Sequence, residues 1–237
     1  MSIVIITPTF NESLNIEKFI IETLNRNLSL LVIDDNSPDG TSEIVSRYVK
    51  ESDRVFLIKR EKKLGIGSAY REGFNWAIEN NYEFAIEMDA DFSHQFSDLD
   101  NLLSCKTEHS VVVGSRYISG ASTVGWSYFR KTLSRSANYL AKICSVNDIN
   151  DMTSGFRIYP TKILKKVDYN KSQSNGYSFQ IEMTIKVIKH NFKIVEVPIT
   201  FVERELGKSK MDKLIVFEAI VLLLKSLKNK LTTIFRT

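Results

Sequence analysis

Short apolar runs alternate with amphipathic segments along the first half of the chain. Each run is rich in β-branched residues and is followed by turn-forming or polar residues, a pattern typical of buried strands. The runs lie at residues 3–7, 30–33, 55–58, 84–88 and 111–113. Apolar residues at helical spacing predict helices between them, over residues 12–25, 41–49 and 68–79.

Strands that alternate with helices in this way predict one fold class. Because parallel strands need crossover connections, the alternation indicates an α/β fold with a single, mostly parallel sheet flanked by helices. Beyond residue 115 the pattern predicts a long helix over residues 126–143 and two strands, 194–197 and 199–202, joined at Pro198. No repeat, low-complexity tract or linker divides the sequence.

Polar residues follow the predicted strands at the points where the strands end. In parallel α/β sheets, ligands bind beyond the carboxyl ends of the strands. A single Asp in such a place usually caps a helix, but several polar groups at one edge indicate a ligand site. The groups are the segment from Thr7 to Glu12, the pair Asp34 and Asp35, the pair Asp89 and Asp91, and Arg116.

Asp89 and Asp91 are candidate metal ligands. They follow the strand at residues 84–88, where the chain turns, so both carboxylates can face one cation. Oxygen ligands favour Mg²⁺ or Mn²⁺, and such ions usually complete their shells with phosphate oxygens and water. Two acids in a turn are often only solvated, so the pair alone leaves both interpretations open.

Cationic residues of the second half complement these acids. The segment from Arg204 to Lys210 follows a predicted strand, contains Gly207, and has the character of a loop that closes over phosphates. Metal-ligating acids together with phosphate-binding cations predict a diphosphate site. The candidate cations are Arg116, Arg130, Arg135, Arg157, Arg204, Lys208 and Lys210.

Other nucleotide and hydrolase motifs are missing from the sequence. Gly65 and Gly67 precede a predicted helix, but Tyr70 stands where the dinucleotide fingerprint has its third glycine, and no phosphate-loop Gly-Lys-Ser/Thr follows. These glycines are expected to start a helix close to the sheet. His94 follows the acidic pair and is near enough in sequence to approach the site. No Ser-His-Asp or Cys-His set supports acyl transfer.

Composition places the chain among ordinary globular proteins. It has 237 residues, 43% hydrophobic and 25% charged, and a formal net charge of +4. That mild charge is compatible with anionic ligands or a membrane surface and does not indicate nucleic acid. Cys105 and Cys144 lack metal-ligand spacing, and Met1 leads almost directly into the first strand. We therefore expect no signal peptide and a reducing compartment.

The last apolar run of the chain is too short to cross a bilayer. It covers residues 214–224 and is interrupted by Glu218, whereas a spanning helix needs about 20 apolar residues. Beyond it, Lys and Arg alternate with Leu, Ile and Phe as in an amphipathic helix. Such a helix either lies on a membrane surface or packs on the domain with a basic outer face.

An ordered set of motifs resembles the dolichol-phosphate mannose synthases, inverting family 2 glycosyltransferases with the GT-A fold. The resemblance extends from about residue 3 to residue 213. The acidic pair alone is not specific to this family, and the resemblance rests on the whole set of segments in their order. Phe10 stands where many members have Tyr, and Ser93 where some have Gln. The segments that carry the resemblance are residues 8–12, 34–41, 88–94, 114–117, 130–135, 153–157 and 201–204.

The resemblance implies a role for individual residues of this sequence. Asp89, Ala90 and Asp91 match the diphosphate and metal segment, with Asp89 and Asp91 as ligands of Mg²⁺ or Mn²⁺. Arg130 and Ser134 match positions that hold the acceptor phosphate. Asp91, Arg204 and Lys210 are then the candidate catalytic residues. The family positions that hold the donor nucleoside correspond to Pro8, Phe10, Glu12, Ile33 and Asp35. Those around the donor diphosphate and the transferred sugar correspond to Arg116, Arg204 and Lys210.

The implied reaction is transfer of mannose from GDP-mannose to a polyprenyl monophosphate by a metal-assisted single displacement. A UDP-sugar donor and a saccharide hydroxyl acceptor stay open, with Asp148 and Asp151 as loose candidates for the base that a hydroxyl needs. A non-catalytic nucleotide-sugar-binding subunit is the alternative from a different class. We expect a catalytic domain over residues 1–211 and an amphipathic helix over 212–237. The protein is expected to be cytoplasmic and peripheral to a membrane or a membrane partner.

Overall fold

The computed structural model describes residues 2–145, 148–172, 174, 176 and 178–204. The strands are β1 (Ile3–Thr9), β2 (Ser29–Asp34), β3 (Val55–Lys59), β4 (Phe84–Glu87), β5 (Ser110–Ser115), β6 (Ser122–Val124), β7 (Arg157–Pro160), β8 (Lys193–Pro198) and β9 (Thr200–Val202). The helices are α1 (Ile16–Asn25), α2 (Thr41–Glu51), α3 (Ile66–Glu79), α4 (Phe96–Ser104), α5 (Tyr128–Ser145), α6 (Thr161–Leu164) and α7 (Ser178–Lys189).

Seven strands form one central sheet in the order β3-β2-β1-β4-β7-β5-β8. β1 pairs in parallel with β2 and β4, β2 with β3, and β5 with β8. The mostly parallel α/β sheet predicted from the alternation is therefore confirmed. Both faces of the sheet are covered, because alternate residues of its strands enter two separate hydrophobic clusters.

The second half of the chain departs from strict alternation in two places. β7 runs antiparallel between β4 and β5, so its first residue, Arg157, lies opposite Glu87 at the carboxyl end of β4. The two strands predicted on either side of Pro198 belong to different sheets: β8 is an edge of the central sheet, and β9 pairs with β6 in a two-stranded parallel sheet. β9 thereby leaves the core and runs past the carboxyl edge.

Two glycines of α3 lie close to their neighbours. As predicted, the glycine pair starts a helix: Gly65 has φ +91° and α3 begins at the next residue. A Cβ on Gly67 would lie 2.4 Å from the carbonyl oxygen of Ser174. Gly67 therefore faces the loop at Ser174 and not the sheet. The glycine of α3 that touches the sheet is Gly73, where a Cβ would overlap the Ile6 side chain of β1.

The predicted boundary between residues 211 and 212, and the amphipathic helix after it, lie outside the described residues. Within the part of the chain that the structure describes, no helix has the length and apolar character to cross a membrane.

Candidate functional site: the carboxyl edge of the sheet

β1 and β2 end side by side, and a set of hydroxyl groups fixes the turn after them. Pro8 pairs with Ile33 and Thr9 with Asp34 in the register of the two strands. The Asp34 carboxylate accepts hydrogen bonds from the hydroxyls of Thr9 (2.8 Å), Ser37 (2.5 Å) and Ser42 (2.6 Å). Asp34 is thus occupied in holding the turn to α2, which leaves the neighbouring Asp35 for contacts with the next loop.

Asp35 forms a buried ion pair with Arg60, a residue that our sequence analysis did not select. The two side chains are 8% and 4% exposed. Asp35 Oδ2 also accepts hydrogen bonds from the backbone N–H groups of Leu64 (3.3 Å) and Gly65 (3.4 Å). The loop between β3 and α3 is therefore tied to the end of β2. The sequence did hold one indication of this role, because Arg60 directly follows β3, the strand that pairs with β2.

Of the other residues predicted to hold a nucleoside, two are partly exposed and two are buried. Pro8 and Phe10 are half-buried, and Lys63 from the β3–α3 loop lies 4.5 Å above the Phe10 ring. Glu12 is buried and its Oε2 accepts a hydrogen bond from the Asn15 side chain at 3.0 Å. The Ile33 side chain is completely buried in the core against α3, so it supports this edge from below.

The turn after β4 holds the two predicted metal ligands. Phe92 has φ +59°, an unusual conformation for a bulky residue and a mark of local strain. The backbone N–H of Ser93 donates to Asp91 Oδ1 at 3.0 Å, and Ala90 is buried in the core. Asp89 is half-buried and follows the buried end of β4. These contacts fix the turn with Asp91 at the carboxyl edge.

His94 holds the same turn from below. Its Nδ1 accepts a hydrogen bond from the backbone N–H of Asp89 at 3.2 Å, and its ring stacks on Phe156 at 4.8 Å. Burial lowers the pKa of His94 to about 4, although Asp91 acts in the opposite direction. The imidazole is therefore neutral near pH 7, which is the form that can accept this hydrogen bond.

Arg204 reaches the acidic turn from the end of β9. A guanidinium nitrogen of Arg204 lies 3.0 Å from Asp91 Oδ2, and the Asp91 side chain is 5% exposed. The backbone N–H of Val202 donates to the carbonyl oxygen of Ser93 at 3.1 Å. The structure thus brings together the acidic and the cationic segments that the sequence separates. Lys210, predicted to act beside Arg204, lies outside the described residues.

The acidic turn carries donors of the kind that a hard divalent cation prefers, but both Asp91 oxygens already have partners. Oδ1 accepts the Ser93 N–H hydrogen bond and Oδ2 pairs with Arg204, so a bound cation would share Asp91 with these groups. Asp89 and Asp91 offer carboxylate oxygens at one turn, and Mg²⁺ or Mn²⁺ prefers such donors. Among the described residues, no group of three or more His, Cys, Asp or Glu side chains is placed to hold a metal ion. An ion held here would therefore rely on two carboxylates and on oxygens of a bound ligand.

Arg116 follows β5 and is bound to Asp151. Its Nε and one terminal nitrogen lie 2.7 and 2.8 Å from the two Asp151 carboxylate oxygens, and its backbone N–H donates to the same group at 3.0 Å. Burial would raise the pKa of Asp151, but the charge and hydrogen bonds of Arg116 lower it below its ordinary value. Asp151 is completely buried, so it orients Arg116 and is not placed to accept a proton from a substrate.

Arg130 and Ser134 lie one turn apart on α5 and share a face of that helix. The guanidinium of Arg130 lies 4.3 Å from the centre of the Trp126 ring, and Ser134 Oγ accepts a hydrogen bond from the Tyr117 hydroxyl at 2.6 Å. Trp126 also lies 5.5 Å from Arg116. Arg130 and the end of β5 therefore meet at one buried indole, and Ser134 is tied to the same strand end through Tyr117.

Two charged groups where β4 and β7 pair are buried, and the expectation that one of them, Arg157, binds a ligand was wrong. Arg157, expected among the ligand-binding cations, is buried and donates to the carbonyl oxygens of Ser154 (2.7 Å) and Met152 (2.8 Å). Glu87, opposite Arg157 in the register, is also buried, and burial raises the pKa of its carboxyl to about 8 despite the attraction of Arg157. Both residues therefore stabilise the pairing of β4 and β7 beneath the site and do not face a ligand.

Comparisons with known proteins agree with this arrangement. Residues 4–168 match the family model described as Glycosyl transferase family 2. The chain is 38% identical over 220 residues to polyprenol monophosphomannose synthase of Mycolicibacterium smegmatis, covering 91% of this chain and 83% of that protein. It is 40% identical over 223 residues to undecaprenyl-phosphate mannosyltransferase of Micrococcus luteus, covering 93% and 92%.

Solved structures share the fold at low identity. Glucosyl-3-phosphoglycerate synthase of Mycobacterium tuberculosis, in complex with Mn²⁺, UDP and glucosyl-3-phosphoglycerate, gives a TM-score of 0.67 at 17% identity, covering 96% of this chain and 80% of that one. The mannosyltransferase PcManGT of Pyrobaculum calidifontis, in complex with GDP-Man and Mn²⁺, gives 0.53 at 15% identity, covering 87% and 58%. The expected α/β fold of the GT-A kind is confirmed, and the chain belongs to glycosyl transferase family 2.

Proposed function

We propose that this glycosyltransferase moves mannose from GDP-mannose to a polyprenyl monophosphate with inversion at the anomeric carbon. The observation that carries the proposal is the contact between Arg204 and Asp91 at 3.0 Å, which joins a carboxylate suited to a metal with a cation suited to a diphosphate. The names of the two curated relatives, a polyprenol monophosphomannose synthase and an undecaprenyl-phosphate mannosyltransferase, support the sugar and the acceptor class.

The donor would lie along the carboxyl ends of β1, β2 and β4. Phe10 offers an aromatic face for the base, and Asp35, fixed by Arg60, offers a carboxylate for nucleoside hydroxyl or N–H groups. Asp89 and Asp91 would hold Mg²⁺ or Mn²⁺, which supplies positive charge against the leaving diphosphate when bound. Arg204, Arg116 and Lys210 are assigned to the diphosphate and the transferred sugar.

The acceptor would be held by Arg130 and Ser134 and would need no strong base. The second pKa of a phosphate monoester is about 6, so the group is largely a dianion at neutral pH. A phosphate oxygen then attacks the anomeric carbon as the bond to GDP breaks, and GDP leaves with the electron pair. The chain's contribution is alignment of the two substrates and stabilisation of the charge on GDP. The Arg116–Asp151 pair accords with this, because it removes Asp151 as a candidate base.

Nucleotide binding tests the donor and metal assignments. In calorimetric titrations with Mn²⁺ present, we expect GDP to bind at least about 10-fold more tightly than UDP. A site built for guanine would leave polar groups unpaired when uracil binds, and this lowers the affinity for UDP. EDTA should weaken GDP binding strongly, and Asp89→Asn should bind GDP with Mn²⁺ present no more tightly than the wild type does in EDTA. Equal or tighter binding of UDP would reject the donor, and unchanged affinity in EDTA would reject the metal assignment.

Helix α5 supports a membrane-bound acceptor. Tyr128 and Phe129 are 86% and 76% exposed, and Leu133, Tyr139, Leu140 and Ile143 are also exposed. Exposed apolar groups clustered on one helix are uncommon in soluble proteins without a partner. The helix carries Arg130, Lys131, Arg135 and Lys142 and no acidic residue. This combination complements an anionic bilayer, so we assign α5, together with residues 212–237, to the membrane surface.

Vesicle sedimentation tests the membrane assignment. The protein should pellet with vesicles that contain phosphatidylglycerol, and less so at high salt. Tyr128→Ser combined with Phe129→Ser should weaken this binding by about 10-fold or more, since burying one aromatic side chain is worth about 1.5–3 kcal/mol. Val49→Ser, at an exposed position of α2, is the control. Equal pelleting of the double variant and the wild type would contradict the role of α5.

A further inference from the structure

Arg130 is held by two independent contacts. One terminal nitrogen lies 2.7 Å from Glu203 Oε1, with the two side chains 24% and 42% exposed, and the guanidinium plane lies over Trp126. The Arg130 Nε–H is buried and has no hydrogen-bond partner among the described residues. Because a guanidinium has five N–H donors, this arrangement leaves donors for an anion while Glu203 and Trp126 fix the position of the group.

Glu203 is itself held closely in place. Its backbone N–H donates to the carbonyl oxygen of Val124 at 2.9 Å, continuing the pairing of β6 and β9. Gly125, with φ +82°, leaves room for it, because a Cβ there would lie 2.8 Å from Glu203 Cβ. The preceding residue, Val202, is bonded to Ser93 of the acidic turn at 3.1 Å. The Glu203 backbone is therefore fixed from both the donor side and the acceptor side.

Consecutive side chains at the end of β9 reach the two halves of the site. Arg204 contacts Asp91 on the donor side, and Glu203 contacts Arg130 on the acceptor side. We propose that Glu203 is a positioning residue for the acceptor: it holds Arg130 so that the remaining N–H donors face the acceptor phosphate at a fixed place relative to Asp91. This inference rests on the proposed function, which assigns Arg130 to that phosphate.

Charge alone would give Glu203 the opposite effect on acceptor binding. A carboxylate beside a phosphate repels it, so a Glu203 that merely neutralised Arg130 would weaken acceptor binding, and its removal would strengthen binding. The two roles therefore predict changes of opposite sign. We expect positioning to dominate, because a long, half-exposed Arg side chain loses much rotational freedom when it must be ordered by the ligand itself.

Calorimetric titration of the full chain with geranyl phosphate measures this directly. Glu203→Ala should weaken binding by about 10-fold, Arg130→Ala at least as much, and the double variant no more than Arg130→Ala, since residues acting through one contact are not additive. Glu203→Gln, which keeps an oxygen acceptor for Arg130, should recover part of the affinity. GDP affinity in the presence of Mn²⁺ should stay within about twofold of the wild type in Glu203→Ala, because separate sites behave independently.

Glu108→Gln is the matched control, because Glu108 forms an exposed ion pair with Lys162 away from the site. It should bind geranyl phosphate like the wild type. Unchanged or tighter binding by Glu203→Ala, additive losses in the double variant, or no binding by the wild type would each overturn the inference. The titration is independent of sugar transfer, so failure of the proposed function is recognised separately, by the absence of mannosyl transfer in the wild type.

Discussion

Asp91→Asn is expected to reduce turnover by roughly 100-fold or more, since losing even an outer-shell partner of a metal ligand costs about 10–100-fold. Asn keeps an oxygen that can accept the Ser93 N–H hydrogen bond (3.0 Å) but loses the charge that attracts Arg204 and a divalent cation. The turn should keep its shape because most of its contacts come from the backbone and His94. Arg204 is 20% exposed, so water can solvate its charge once Asp91 is neutral, and the loss should appear mainly in kcat and in metal affinity.

Steady-state transfer rates at saturating Mn²⁺, together with thermal unfolding, test this expectation. Asp53→Asn, at an exposed position between α2 and β3, is the matched control and should leave both measurements unchanged. A near-normal rate in Asp91→Asn would show that this carboxylate does not serve the reaction. An equally large loss of thermal stability would instead assign it to the fold.

Asp151→Asn is expected to lower the free energy of unfolding by about 3–5 kcal/mol, the usual cost of removing one partner from a buried ion pair. Asp151 is completely buried and accepts three hydrogen bonds from Arg116. The neutral amide would leave the buried guanidinium without a counter-charge. Denaturant unfolding measures the difference, and the exposed Asp148 provides the control as Asp148→Asn.

The Asp151 contribution should depend on pH in one direction. The pKa of Asp151 is lower in the folded protein than its ordinary value, which we take for the unfolded chain. The stabilisation is therefore fully present above about pH 3.9, the ordinary pKa of Asp, and is lost as the pH falls through the lower, folded value. The two proteins should differ by a constant amount near neutrality and converge in acid. A difference that grows in acid, or equal stability at pH 7, would contradict this account.

The strands that carry the site could be predicted because their signal is local. Buried parallel strands are continuous apolar runs, and polar residues soon after them, such as Asp35 and Asp89, must lie at one edge of the sheet. β7 was not predicted, because its four residues are too few to show a period and its antiparallel place between β4 and β5 depends on long-range pairing. Arg157 consequently looked like a ligand-binding cation although it lies in the middle of the sheet.

The charge pairs of the site were hidden for a related reason. Arg60 with Asp35, Asp151 with Arg116, and Glu203 with Arg130 join residues far apart in sequence. No periodicity encodes such a pairing, because it depends on how strand ends and loops meet in space. The sequence identified Asp35, Arg116 and Arg130 as ligand-binding candidates, but Asp151 was considered only as a base, and Arg60 and Glu203 were given no role. The structure adds the partner that fixes the position of each candidate.

Transfer of mannose to a polyprenyl phosphate is tested most directly by a transfer assay. Purified protein is incubated with a short-chain polyprenyl monophosphate, Mn²⁺ or Mg²⁺, and radiolabelled GDP-mannose, UDP-glucose or UDP-N-acetylglucosamine, with EDTA controls. We predict label in the lipid from GDP-mannose, none from the UDP-sugars, and none in EDTA. Lipid labelled from a UDP-sugar instead, or GDP-mannose bound without any transfer to the lipid, would contradict the account.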